Sequence, residues 1–232
     1  MNDIPTTTDR EIIGEGVQGK IYLEGDSVVK EYFHGLSSEQ AKKLRIRRKA
    51  VIEAKLPTYE HYDVDERNGV CRMSDLSDGN RNLVVSTPDV LNTRIRTQSE
   101  IDLWMNIVRS RGGIRNMEEF FSDNRQIVRN ALQSNVFVGS PGYFMVVKPG
   151  GYAHMIIGDY DDGVAYEPNY VLGDQEKRLS ASKYLNLLVD VVGNFFPTAK
   201  ARIREEVTTF KELYQIESYL YADLLAANGG GK

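Results

Sequence analysis

The stretch Ile12–Phe33, IIGEGVQGKIYLEGDSVVKEYF, decides how the rest of the chain is read. Gly14, Gly16 and Gly19 lie between Ile12-Ile13 and Lys20-Ile21-Tyr22-Leu23, two segments with the composition of short strands. A Glu24-Gly25-Asp26-Ser27 turn follows, then Val28-Val29-Lys30. The order is therefore strand, glycine loop, strand, turn, strand. Glycines let backbone N–H groups approach a polyanion with no Cβ in the way. A lysine on the third strand adds a point charge for phosphate oxygens. Without a ligand, the same residues make an ordinary hairpin with glycine turns.

The spacing G-x-G-x-x-G occurs in two settings. In dinucleotide-binding folds it opens a helix, but Lys20–Asp26 is poor helix sequence and ends in a turn. In protein kinases the loop lies in a hairpin and the lysine follows on the next strand. The stretch resembles that amino-terminal lobe, with a short turn before Lys30. The resemblance implies ATP and Mg2+ as cofactors, with Gly14, Gly16 and Gly19 around the phosphates and Lys30 upon them. Next, Ser37-Ser38-Glu39 reads as a helix start, and the helix runs to about Lys55, before Pro57. In kinases such a helix carries a glutamate that pairs with the strand lysine; Glu53 is the candidate and Glu39 the alternative. Val70-Cys71-Arg72-Met73-Ser74-Asp75-Leu76 resembles the fifth strand and hinge, which places Met73 and Asp75 at the adenine edge.

Further along, Leu83-Val84-Val85 reads as a short strand, and Gln98–Val108 and Met117–Leu132 carry apolar residues at helical spacing. Trp104 belongs to the first of these as a core residue. Val136–Val138, Tyr143–Val147 and Tyr152–Ile157 read as strands, and Ser180–Phe196 and Ala201–Ala227 as helices split near Pro197. The expected class is α+β, a two-lobed protein-kinase-like fold. Its β-rich lobe spans 11–82 and its mainly helical lobe 83–227, with a disordered start at 1–10 and a flexible tail at 228–232.

Two later segments carry the remaining chemistry. Arg129-Asn130-Ala-Leu-Gln-Ser-Asn135 resembles a kinase catalytic loop, which implies Asn130 in the place of the base and Asn135 as a Mg2+ ligand. Ile156-Ile157-Gly158-Asp159-Tyr160-Asp161 resembles the metal-binding triplet, with Asp159 as the acid. An amide accepts no proton at neutral pH, so the resemblance implies a pseudokinase, an inactivating change, or a base from elsewhere such as Asp123. A plain acidic hairpin is the alternative for Asp159–Gly163. Beyond Gly163 no A-P-E ending follows, in which the chain is similar to compact bacterial effector-type kinases. The implied activity is phosphoryl transfer to a protein substrate, and a pseudokinase-type binding module is the inactive counterpart.

A different class competes for the same region. Gly151-Tyr152-Ala153-His154 and Tyr166-Glu167-Pro168-Asn169-Tyr170 are similar to segments of YopT-type cysteine proteases, which implies Cys71 as nucleophile, His154 as base, and Glu167 or Asn169 orienting the ring. That reading leaves the glycine hairpin and Lys30 unexplained. Read plainly, Cys71 is a buried strand residue and His154 a core histidine.

Composition fits a soluble globular protein of 232 residues, 41% hydrophobic and 27% charged, with net charge −4. The acidic balance argues against nucleic-acid binding. The basic run Lys42–Lys49 reads as a solvated helix face. One cysteine permits no internal disulfide, and no apolar run is long enough to span a membrane. The amino terminus lacks the basic start and apolar core of a signal peptide. The expected location is cytoplasmic, or inside a host cell reached without a cleavable signal. His34 and His61 have no partners at metal-ligand spacing.

Overall fold

The glycine hairpin forms where its sequence places it. In the computed structural model, which describes residues 10–79, 81–86, 114–192 and 199–216, β1 (Glu11–Glu15), β2 (Gly19–Glu24) and β3 (Ser27–Tyr32) are successive antiparallel strands. β4 (Tyr62–Asp65) and β5 (Val70–Ser74) complete a five-stranded sheet in the order β1-β2-β3-β5-β4. Between β3 and β4 runs α1 (Ser38–Glu53), opened by a reciprocal capping box of Ser37 and Gln40. Such a cap stabilises a helix by about 1 kcal/mol. Ala41, Leu44, Ala50 and Val51 are its buried residues, and Arg45 and Arg48 donate from it to the carbonyls of Val64 and Tyr62 on β4.

A second, three-stranded antiparallel sheet has the order β6-β8-β9, from β6 (Leu83–Ser86), β8 (Tyr143–Val147) and β9 (Ala153–Ile157). Consecutive residues are buried at opposite ends of the β8–β9 pair, Val146 and Val147 on β8 and Ile156 and Ile157 on β9, so this sheet is covered on both faces. A short pair, β7 (Phe137–Val138) with β10 (Val164–Ala165), lies beside it in the chain order. The second sheet meets the connection between α1 and β4 at residues 57 and 58. Ile157 donates its N–H to the Pro57 carbonyl at 2.7 Å, and the Thr58 hydroxyl donates to the Ile157 carbonyl at 2.8 Å.

Three helices accompany the second sheet, the last of them packed on the one before it. α2 (Met117–Gln133) buries Phe120, Phe121, Ile127, Val128, Ala131 and Leu132, the stripe of an amphipathic helix. α3 (Asp174–Asn186) continues into a π-helical stretch, Leu187–Val192, and α4 (Lys200–Tyr214) ends where Gln215 turns left-handed. α3 thus starts six residues earlier than its apolar pattern suggests, because Asp174 and Glu176 fill its first turn. The helix expected over Gln98–Val108, with Trp104, and the continuation of the last helix to Ala227 lie outside the described residues. The described residues thus form a mixed α/β arrangement. No helix among the described residues is long and apolar enough to cross a membrane.

Glu206 on α4 is 1% exposed. Arg125 on α2 approaches it at 3.3 Å without hydrogen-bond alignment, and neither carboxylate oxygen has a hydrogen-bond donor among the described residues. Burial pushes its pKa up; Arg125 and Arg202 pull it down, and Glu118 raises it again. A carboxyl that holds its proton more tightly when folded adds stability at low pH, and that stability is lost as pH rises past its unfolded value. Glu206→Gln removes this dependence. The melting temperature of the native chain relative to Glu206→Gln is therefore expected to climb as pH falls from about 7 towards 5; an unchanging difference in parallel thermal melts would contradict it.

Candidate functional site

Lys30 is the residue on which the site converges. On β3 it stands between Ile21 of β2 and Cys71 of β5, and its ammonium meets the turn that follows β9. Nζ lies 2.5 Å from Asp161 Oδ2 and 3.7 Å from Asp159 Oδ1. Burial alone would lower the lysine pKa, but Asp161, Asp159 and Asp162 outweigh it and hold the ammonium above its ordinary value. Tyr32, two residues along the same strand face, donates its hydroxyl to the same Asp161 oxygen.

Two other elements close on this turn. From the glycine loop, Gln18 Nε2 donates to both carboxylate oxygens of Asp162, at 2.9 and 3.0 Å. From α1, Arg47 Nη1 donates to the backbone carbonyls of Tyr160 and Asp161 at 2.7 and 2.6 Å. Tyr160 is 2% exposed and wedges edge-on against Tyr62 at 4.7 Å and Tyr59 at 6.2 Å. Asp159 takes a left-handed backbone, φ 50°, and its carbonyl accepts the Gly163 N–H at 2.7 Å. Beneath the turn, Gly163 and Gly142 are in backbone contact: a Cβ on Gly163 would lie 2.4 Å from Gly142 Cα, and one on Gly142 would lie 2.5 Å from the Gly163 carbonyl oxygen. The Asp159 carboxyl is pushed up to about 6, first by burial and then by Asp161 and Asp162, against the opposing pull of Lys30. These are hard oxygen donors, the kind a small divalent cation takes together with phosphate oxygens. Among the described residues, no three acids, histidines or cysteines converge to hold a metal by themselves.

The structure brings Lys30, Asp159 and the glycine loop together, but not the other expected residues. Glu53 is exposed and pairs with Lys49 one turn earlier; the alternative, Glu39, pairs with Lys43. Lys30 takes its acids from the turn instead. Arg129 and Asn130 are not in a loop: both belong to α2, where Asn130 Oδ1 accepts from Gln126 at 2.6 Å. The buried stripe of Ile127, Val128, Ala131 and Leu132 outweighs the loop-like motif. Asn135 follows α2 with φ 56°, and its amide oxygen accepts the Leu172 N–H at 3.1 Å, so its side chain fastens a neighbouring segment. Met73 pairs across the sheet with Val28 and Tyr62. The Asp75 carboxylate is engaged by Ser77 and by the Gly79 N–H, as the acceptor of its own turn.

The thiol arrangement is not assembled either. Cys71 is fully buried; Tyr62 donates to its sulfur at 3.5 Å, and its own S–H faces the Tyr32 oxygen at 3.8 Å. Burial raises the thiol pKa despite both contacts, which makes it a poor nucleophile at neutral pH. His154 stands opposite Val146 on β8, its pKa lowered by burial and by Lys148, and Glu167 and Asn169 are exposed. Sequence reasoning passed over Gln18, Tyr32, Arg47, Asp161 and Asp162. The four-residue run Asp159-Tyr160-Asp161-Asp162 was the available signal for two of them.

No protein-family model and no curated protein matches the chain. Among solved structures, it is similar to an aerobactin synthetase from Klebsiella pneumoniae at 10% identity and a TM-score of 0.39, covering 88% of this chain and 45% of that one. The chain thus spans less than half the length of that protein. It is also similar to a choline kinase from Streptococcus pneumoniae, at 12% identity and a TM-score of 0.34, covering 95% and 90% of the two chains. A choline/ethanolamine kinase family protein from Mesorhizobium loti aligns at 12% identity and a TM-score of 0.36, over 99% and 96%. Likeness at this level sets neither substrate nor mechanism.

The three loop glycines have different grounds. A Cβ on Gly19 would stand 2.1 Å from the Glu31 carbonyl oxygen, so the β2–β3 pairing itself requires glycine there. A Cβ on Gly16 meets nothing within 4 Å, and one on Gly14 only Ile21 at ordinary contact distance. Gly19→Ala is expected to cost about 1–3 kcal/mol of stability, and Gly16→Ala to stay within about 0.5 kcal/mol of native. Urea denaturation of both variants measures the contrast; equal losses would contradict it.

Proposed function

We propose that the chain binds ATP with Mg2+ beneath its glycine loop and acts as a kinase-like phosphotransferase, with a protein as the acceptor that the family resemblance implies. The observation that carries this reading is Lys30, held between Asp161 and Asp159 under a loop that itself reaches the acidic turn through Gln18. A lysine raised above its ordinary pKa stays charged for phosphate oxygens, and Asp159 beside it offers a carboxylate whose negative charge is poorly compensated. The loop glycines support the same reading. Among the described residues, nothing requires the missing side chain at Gly14 or Gly16, so their smallness is free to serve a ligand.

The donor set fits Mg2+ bound through one or two carboxylates plus phosphates, with Asp159 as the residue to hold it. Bound there, the ion would supply charge neutralisation at the transferring phosphoryl group. Residues 11–82 would form the nucleotide-covering lobe and the helical remainder the other. Backbone groups near Met73 and Asp75 are the candidates for the adenine edge, since the Asp75 side chain already serves its own turn.

A second reading, a module that holds nucleotide without transferring phosphate, has its own support. Asn130 is helical, and the segment from Asn135 to Gly142, which leads from α2 into β8, contains no carboxylate to accept a proton.

A ligand that binds only the folded state raises the melting temperature once its concentration exceeds its dissociation constant. ATP with Mg2+ is expected to raise that of the native chain, to do so less in Lys30→Ala, and to lose its Mg2+ dependence in Asp159→Asn. No rise in a folded native chain would remove the nucleotide reading. Phosphate transfer from labelled ATP to lysate proteins then separates the enzyme from the binding module.

A further inference from the structure

We propose that Asp161 is a built-in competitor for the polyanion: in the ligand-free chain its carboxylate occupies the place on Lys30 that phosphate oxygens take when a ligand enters. This inference rests on the reading of the Lys30 cleft as a phosphate site.

Asp161, not Asp159, is the nearer partner of the lysine, at 2.5 Å against 3.7 Å. Its carboxylate receives a second donor from Tyr32, so two groups of β3 are spent on one acid. Its backbone carbonyl and that of Tyr160 are gripped by Arg47 of α1, which holds the turn towards the sheet. Its neighbour Asp162 is chelated by Gln18, which draws the tip of the glycine loop down over the turn. The side chains of Lys30 and Asp161 are 17% and 13% exposed, so the pair is shielded from solvent and a competing anion must break it. Asp162 is exposed and Gln18 half-buried, so that contact opens more readily than the shielded Lys30 pair. The arrangement is a latch in two stages: the loop lifts from Asp162, and then phosphate displaces Asp161 from Lys30. Asp159 and Asp161 thereby have opposite roles. The first supports the cation that accompanies phosphate, and the second opposes phosphate.

The test compares the native chain with Asp161→Asn, Asp159→Asn and Asp63→Asn, the last removing an equal charge from an exposed site on β4. Calorimetric titration uses inorganic tripolyphosphate alone and, separately, ATP with Mg2+. Asp161→Asn is expected to bind tripolyphosphate about tenfold or more tightly than native, and Asp63→Asn to match native; Asp159→Asn is expected to weaken ATP with Mg2+. Gln18→Ala, a truncation of one half-buried loop side chain, is expected to speed amide hydrogen exchange about tenfold in residues 16–19. Unchanged or weaker tripolyphosphate binding by a folded Asp161→Asn chain overturns the latch, as does a gain equalled by Asp63→Asn. Unaltered exchange in Gln18→Ala overturns its first stage. A tripolyphosphate gain without any ATP response would uphold the latch and overturn the nucleotide reading. Failure of every folded variant to bind either ligand overturns both.

Discussion

A shielded ammonium set among three carboxylates is the constraint on which the molecule is built. Lys30 is the strand residue that reaches from the five-stranded sheet to the turn after β9, 131 positions away in sequence at Asp161. Take away the lysine and Asp159 and Asp161 lose their shared cation, with Asp159 already reluctant to ionise. Removing one member of a fully buried pair costs about 3–5 kcal/mol, and partial exposure brings the expected figure here nearer 1–3 kcal/mol. The turn does not depend on charge alone, however. Tyr160 is packed among Tyr59 and Tyr62, and Thr58 is hydrogen-bonded to its hydroxyl, so an apolar wedge sets the depth at which the acids sit.

The helix that follows the third strand contributes to this centre with a sign opposite to the one its resemblance suggested. Instead of offering a carboxylate to the lysine, α1 offers a guanidinium to two carbonyls of the turn. Its acids, Glu39 and Glu53, are used on its own surface in pairs four residues apart. Such exposed pairs contribute a few tenths of a kcal/mol each, whereas Arg47 spans two elements far apart in sequence. The basic run of this helix is therefore divided in function: Arg45 and Arg48 fasten it to β4, and Arg47 fastens it to the turn.

Local signals carried most of the fold. The glycine hairpin, the Ser37 cap and the alternating or continuous apolar runs of β8 and β9 are short-range properties of the chain, and each formed close to where it was expected. The site was legible only in part, because what completes it is long-range. Lys30 and Asp159 stood out by spacing, but the choice of Asp161 as the lysine's partner depends on how the turn is wedged, which no local pattern encodes. Asn130 shows the opposite failure. The loop-like motif lies partly inside a segment whose apolar periodicity specifies a helix, and the periodicity, which engages six buried apolar residues of α2, prevails. Cys71 was correctly readable as a buried strand residue, and His154, though on a strand, is only half-buried.

The contact of Gly142 with Gly163 separates the shape of the acidic turn from its chemistry. Backbone meets backbone there, and no side chain of the turn takes part. The carboxylates at 159, 161 and 162 can therefore be exchanged for other polar groups while the scaffold beneath them keeps its position. The glycines have no such latitude, because a side chain on either one collides with the main chain of the other and no substitution at the second relieves it. Over evolutionary time this pairing should leave two kinds of position side by side: acids whose identity tracks the ligand, and glycines that change only when the turn is lost.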